Sequence, residues 1–180
     1  FDLKEVVNGI CTKLINRHPH VFNNVDLDMS QFEKTWEELK RDEKGETSIT
    51  SGLKRIPNHL PALIKAEKIQ HKAALIGFDW DDIKDVFEKI EEEYKELLDE
   101  CKQGNIKYIK EELGDLLFSI VNLARFLHID SEEALNLTNQ KFINRFEFME
   151  ENASKLHKKL EDLTLDQMEE LWQSAKKNKL

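Results

Sequence analysis

Two short acidic runs carry the residues best suited to chemistry: "EEEYKE" at positions 91–96 and "EELGD" at positions 111–115. Glu93 and Glu96 are three residues apart, as are Glu112 and Asp115. On a helix that spacing puts both carboxylates of a pair on one face. If the two helices face each other, four carboxylates converge, and their mutual repulsion demands protons or cations between them. An all-oxygen ligand set favours a hard cation, Mg2+ or alternatively Mn2+. Taken alone, "EEEYKE" also describes a solvated acidic helix face. "EELGD" inside an otherwise apolar helix does not. A two-iron carboxylate bundle would want Glu-x-x-His on two helices, and no histidine here stands three residues after an acid. His18, His20, His59, His71, His128 and His157 show no ligand spacing and read as core or surface residues.

The elements that must position these groups are helical. Apolar periodicity predicts helices at roughly 2–17, 30–43, 60–76, 82–103, 106–128, 131–157 and 165–178. On 82–103 the apolar stripe is Val86, Phe87, Ile90, Tyr94, Leu97, Leu98 and Cys101. On the next helix a narrow polar line runs from Glu112 and Asp115 through Ser119 and Asn122. Nearly everything else from Leu113 to Leu127 is apolar, so that helix is expected to be buried on most sides, its polar line facing an internal cleft. "QGN" at 103–105 is a turn making the two acidic helices antiparallel neighbours. Asp130 or Ser131, and the box "TLDQ" from Thr164, are expected helix caps, and Gly77 an expected helix stop. The polar stretch 41–59, with two glycines and a proline, is the best linker.

Lys141 and Arg145 lie i,i+4 beside the stripe Leu135, Phe142, Phe146 and Met149. Such a pair is either a salt-bridging edge or, opposite a metal, the cationic side of a polyphosphate site. Trp80 and Trp172 read first as packing anchors.

A net charge of −9 argues against nucleic acid or anionic membrane as the main partner. Two cysteines without paired-ligand spacing fit reduced thiols in the cytoplasm, and "LLFSIVNLARFL" is too short and too polar for a membrane span. With 35% charged residues and three prolines, an all-α chain is expected.

The chain also repeats itself. A shift of 128 residues aligns Asp2, Glu5, Asn8, Lys13, Ile15, Asn16 and Arg17 with Asp130, Glu133, Asn136, Lys141, Ile143, Asn144 and Arg145, without a gap. Two unrelated amphipathic helices would share spaced apolar positions, not lysine and arginine, so a tandem duplication is the better reading. Leu3, Val6, Val7, Ile10 and Leu14 then need cover, and are expected to find it on another surface of a dimer or on a symmetry mate.

Together these residues resemble the MazG family of nucleoside triphosphate pyrophosphohydrolases. Its signature, Glu-Glu-x-x-Glu, a variable gap, then Glu-x-x-Asp, stands here as Glu92-Glu93-x-x-Glu96 and Glu112-x-x-Asp115. "HKAALIGFDW", "EELGDLLFSIVNLAR", "NQKFINRF" and "EELWQ" are similar too, from about Pro57 onward. The resemblance implies an all-α, four-helix-bundle-type fold, a homodimer, and Mg2+-dependent hydrolysis of triphosphates to monophosphate and pyrophosphate in nucleotide-pool control. It implies Glu93, Glu96, Glu112 and Asp115 as metal ligands, Lys89, Lys141 and Arg145 as phosphate contacts, and Trp172 at the nucleoside end. Asn122 joins Trp172 as a candidate nucleoside contact, and Glu92, beside the ligands, is the candidate general base. Where the family often has a phosphate-binding lysine before Glu-x-x-Asp, this chain has Tyr108, with Lys107 or Lys110 beside it as the candidate substitute. Residues 1–25 are expected to be the last helix of an upstream copy, 26–56 a linker with one helix, and 57–180 the catalytic domain. The rival reading is a non-catalytic helical dimerisation module whose acidic face binds a basic partner.

Overall fold

The computed structural model describes residues 2–22, 32–43, 45 and 48–178. It is all-α, with no strand among the described residues. The chain divides by packing into two compact units, Phe1–Asp81 and Asp82–Leu180.

The first unit holds α1 (Leu3–Arg17), α2 (Pro19–Phe22), α3 (Phe32–Glu43), α4 (Ile49–Lys54) and α5 (Ala62–Ala74). α1 starts on a capping box in which the Asp2 side chain accepts from Glu5 N–H and the Glu5 carboxylate accepts from Asp2 N–H. It packs on α2 and α3, and α4 packs on α5. The first part of the helix expected from residue 30 lies outside the described residues. α4 interrupts the stretch expected to be a linker: six residues are too few to show periodicity, and its cap pairs Ser48 with Ser51 rather than with the usual Glu or Gln. Within this chain Leu3, Val6, Val7, Ile10 and Leu14 remain exposed.

The second unit holds α6 (Ile83–Gln103), α7 (Ile106–Phe126), α8 (Ser131–Lys155), a 3-10 turn (Leu160–Asp162) and α9 (Leu165–Lys177). α6 pairs with α7 and α8 with α9, while α7 meets α8 only lightly. The caps fall where sequence puts them. The Asp130 side chain accepts from Glu133 N–H at 2.9 Å, and Thr164 and Gln167 form a reciprocal box. Gly104 closes α6 in the left-handed region (φ 74°), which costs a residue without Cβ nothing, so only Gly104 and Asn105 separate α6 from α7.

α5, α7 and α8 end alike. Phe78, Ile129 and Lys158 donate backbone N–H to the carbonyls of Ala73, Ala124 and Ala153. The residue before each has positive φ: Gly77, but also His128 and His157, both at 56°. Any side chain with a Cβ is strained in that region. His157→Gly is therefore expected to raise the unfolding free energy by about 0.5–1 kcal/mol. The check is a higher urea midpoint at unchanged slope; a lower midpoint means that the imidazole makes a contact worth more than the strain.

The apolar stripes are only partly covered. On α6 Val86 is 1% exposed but Tyr94 52%; on α8 Met149 is 3% exposed but Phe142 52%. α7, expected to be buried on most sides, buries only Ser119 and Val121, and leaves Leu113, Leu117, Phe118 and Ile120 open. The physical reason is its neighbours: among the described residues α6 covers one face of α7, and α8 meets it only lightly.

Candidate metal centre and phosphate site

The α6–α7 hairpin brings Glu93, Glu96 and Glu112 together, one carboxylate oxygen of each lying within 4.8 Å of the others. Glu93 is buried, Glu112 half-buried and Glu96 exposed, so the group sits at the rim of the helix pair with one side open to solvent. Asp115, expected as the fourth member, is exposed and stands outside this close trio. Its charge still acts on Glu112, one turn back on α7. Desolvation pushes the Glu112 carboxyl above its ordinary range, and the charges of Glu96, Asp115, Glu93 and Glu100 push it further.

Glu100 was not singled out from sequence. It continues the α6 line one turn beyond Glu96, its Oε2 is buried without a hydrogen bond, and its Oε1 accepts from Gln103 at 3.3 Å. Its i+4 spacing from Glu96 was the available signal. Ser119 donates to the Leu116 carbonyl, and the Asn122 side-chain oxygen accepts from Arg125 at 2.8 and 3.0 Å, so much of the polar line beyond Asp115 is engaged locally.

Lys89 joins the carboxylates. Its Nζ lies 2.7 Å from Glu93 Oε1 and 3.0 Å from Glu92 Oε2. The hydrogen bond to Glu93, then that to Glu92, holds its pKa above the ordinary lysine value. Glu92 itself is 55% exposed and outside the trio. Lys107 lies on an exposed part of α7, 3.9 Å from Glu111 and 5.4 Å above the Tyr108 ring.

The second grouping lies between α8 and α9. The Arg145 guanidinium stands 5.2 Å from the Trp172 ring centroid, with Lys176 at 5.9 Å. Phe142 and Phe146 flank the same indole at 5.1 and 6.1 Å. From sequence, Trp172 and the basic pair were separate features and the phenylalanines a core stripe. The structure joins Arg145, Trp172 and both phenylalanines into one cationic-aromatic cluster. Lys141, one turn before Arg145, is exposed.

The first unit contains a similar clasp. Arg17, the counterpart of Arg145 in the 128-residue repeat, stands 5.5 Å from the Trp36 ring of α3. There the guanidinium also donates to the Glu43 carboxylate through Nε, at 3.0 Å, and through Nη2.

Fold and site together define an all-helical protein whose acidic hairpin has the donor set of a divalent-metal centre, accompanied by cationic and aromatic groups suited to a nucleotide. Similarity to known proteins agrees. A family model for the MazG nucleotide pyrophosphohydrolase domain matches residues 82–148. The chain is 44% identical over 176 residues to the nucleoside triphosphate pyrophosphohydrolase/pyrophosphatase MazG of Thermotoga maritima, covering 98% of this chain and 66% of that protein. It is 38% identical over 183 residues to the nucleoside triphosphate pyrophosphohydrolase of Escherichia coli K12, covering 100% of this chain and 70% of that one. YabN of Bacillus subtilis is 44% identical over 178 residues, which make up 36% of its length. The chain belongs to the MazG family of nucleotide pyrophosphohydrolases, and is by class a hydrolase. No described helix is long and apolar enough to cross a membrane.

Proposed function

We propose that this chain hydrolyses nucleoside triphosphates to the monophosphate and pyrophosphate with Mg2+, or alternatively Mn2+, as cofactor, and that it serves nucleotide-pool control in the cytoplasm. The observation that carries the reading is the trio Glu93, Glu96 and Glu112, three carboxylates from facing helices within 4.8 Å of one another. Three oxygens so close, with the buried Glu100 Oε2 on the same helix, fit a hard divalent cation. Glu93, Glu96 and Glu112 would hold it, with Asp115 as the fourth ligand. When bound, the metal polarises phosphoryl oxygens and lowers the pKa of an attacking water.

The chain's own residues do the rest. Glu92, next in sequence to Glu93 and open to solvent, accepts the proton of the attacking water. Lys89, Lys141 and Arg145, with Lys107 near the start of α7, offset the charge that builds on the phosphates. Arg145 reaches them already stacked on Trp172, so less side-chain freedom is lost on binding. Trp172, with Phe142 and Phe146, offers the nucleoside an aromatic surface, and the Asn122 amide a hydrogen-bonding edge.

The open apolar face of α7 and the exposed side of α8 support a homodimer in which a second copy covers them. The 128-residue repeat supports residues 1–25 as part of an upstream copy, with 26–56 as a linker and 57–180 as the catalytic domain.

The test is incubation of the purified chain with a mixed triphosphate pool and Mg2+, with the nucleotide products separated and pyrophosphate measured. Monophosphate and pyrophosphate in equal amounts are expected, from a species of dimer mass in light scattering. Diphosphate with orthophosphate, or no turnover with either metal, sinks the reading and favours a binding module.

A further inference from the structure

We propose that Lys89 is an internal counter-cation that holds the acidic hairpin until triphosphate and metal arrive together, so that the two ligands bind cooperatively. The proposal rests on the metal-centre reading above and concerns how that centre is loaded. Glu93 is the most enclosed of the three converging carboxylates, its side chain 8% exposed, and its Oε1 already has a cationic partner in Lys89 Nζ at 2.7 Å. The same ammonium reaches Glu92 at 3.0 Å. A lysine four residues before a glutamate is the less favourable order for a helical ion pair. What holds Lys89 there is the pair of adjacent carboxylates, Glu92 and Glu93, that it bridges at once, not a favourable helix order.

A divalent cation bound by Glu93 and an ammonium on the same carboxylate repel each other across a few ångströms. Metal binding therefore weakens the hold of Glu93 on Lys89. Without nucleotide the ammonium loses a partner and gains only water. With a triphosphate present it gains a polyanion, and its four-carbon stem, with a side chain 36% exposed, is free to swing there. Each ligand then lowers the cost of binding the other, which is a coupling free energy in the strict sense. Free metal binds weakly, and the metal–nucleotide pair binds well.

The experiment is calorimetric titration of Mn2+ into the parent chain, Lys89→Met and Lys89→Arg, each with and without an α,β-methylene nucleoside triphosphate, which resists cleavage. Lys95→Met is the charge-matched control, because Lys95 pairs with Glu91, at 3.7 Å, and not with the trio. Without nucleotide, Lys89→Met is expected to bind Mn2+ about fivefold tighter than the parent, the scale of a partly buried ion pair. After correction for Mn2+ held by the free analogue, the analogue is expected to tighten Mn2+ binding several-fold more in the parent and in Lys89→Arg than in Lys89→Met. The proposal is overturned if Lys89→Met binds Mn2+ no tighter than the parent, if Lys95→Met gains as much, or if the nucleotide effect is as large in Lys89→Met as in the parent. Mn2+ binding to the parent that Glu112→Gln removes, with no gain in Lys89→Met, overturns the counter-cation alone. Absence of Mn2+ binding in every variant overturns the metal centre as well. Lys89→Gln gives the same comparison should methionine disturb α6.

Discussion

Glu112→Gln is expected to lower kcat/KM for triphosphate hydrolysis about a thousandfold or more, with helix content unchanged by circular dichroism. The amide is nearly isosteric, so α6 and α7 keep their packing, but it removes the one negative charge that α7 places in the trio. Glu93 and Glu96 come from one helix; Glu112 is the residue that makes the centre a bridge across two. Asp115→Asn is expected to cost less, because Asp115 lies outside the close group. The measurement is pyrophosphate release at saturating Mg2+ for the parent and both variants. Parental rates in a folded Glu112→Gln variant would show that the carboxylates do not carry the reaction. An Asp115→Asn defect larger than that of Glu112→Gln would move the metal along α7.

The second large effect concerns stability without metal. The Glu112 carboxyl is pushed above its ordinary range by desolvation and by Glu96, Asp115, Glu93 and Glu100, so the folded chain binds its proton more tightly than the unfolded chain does. A group raised in this way contributes most stability below the ordinary carboxylate range and loses that contribution as pH rises through its raised value. In a chelator, thermal unfolding followed by circular dichroism should thus show Glu112→Gln melting above the parent at neutral pH, the difference shrinking under mild acid. Metal acts in the opposite sense. A site occupied at a hundred times its Kd adds about 2.7 kcal/mol, several degrees in Tm for a chain of this size. The parent should gain that shift on adding Mg2+, and Glu112→Gln should not. A variant that melts with or below the parent in chelator, and still responds to Mg2+, rules out a repulsive metal-binding cluster.

Much of this was legible in the residues. Long helices announce themselves by periodicity, and Asp130, Thr164 and Gly104 mark ends that the structure keeps. The i,i+3 carboxylates could be placed on faces before any coordinates, because a helix fixes those faces by itself. What periodicity cannot supply is the identity of the neighbour. The stripes on α7 and α8 read as buried because apolar residues generally are, yet Leu117 and Leu135 remain about half-exposed. The Arg145–Trp172 cluster depends on how α9 returns along α8, a long-range choice invisible to local pattern. α2 and α4 were missed because four or six residues are less than two turns. Glu100 was missed because the eye stops where a motif stops, whereas the helix face continues.

The shortness of the α6–α7 connection has a consequence for how such a chain can vary. Gly104 stands midway in sequence between Glu96 and Glu112, and likewise between Glu93 and Asp115. In an antiparallel hairpin, residues equidistant from the bend lie at the same height, so the bend works as the zero mark of a ruler. Adding one residue to a single arm slides every rung by about 1.5 Å and turns that arm by roughly 100°. Adding one to each arm keeps the heights matched but turns both acidic faces by roughly 100°, and only about seven added to each arm, two whole turns, restore height and facing together. Length changes between the two acidic motifs should therefore be tolerated as matched pairs of whole turns and resisted otherwise.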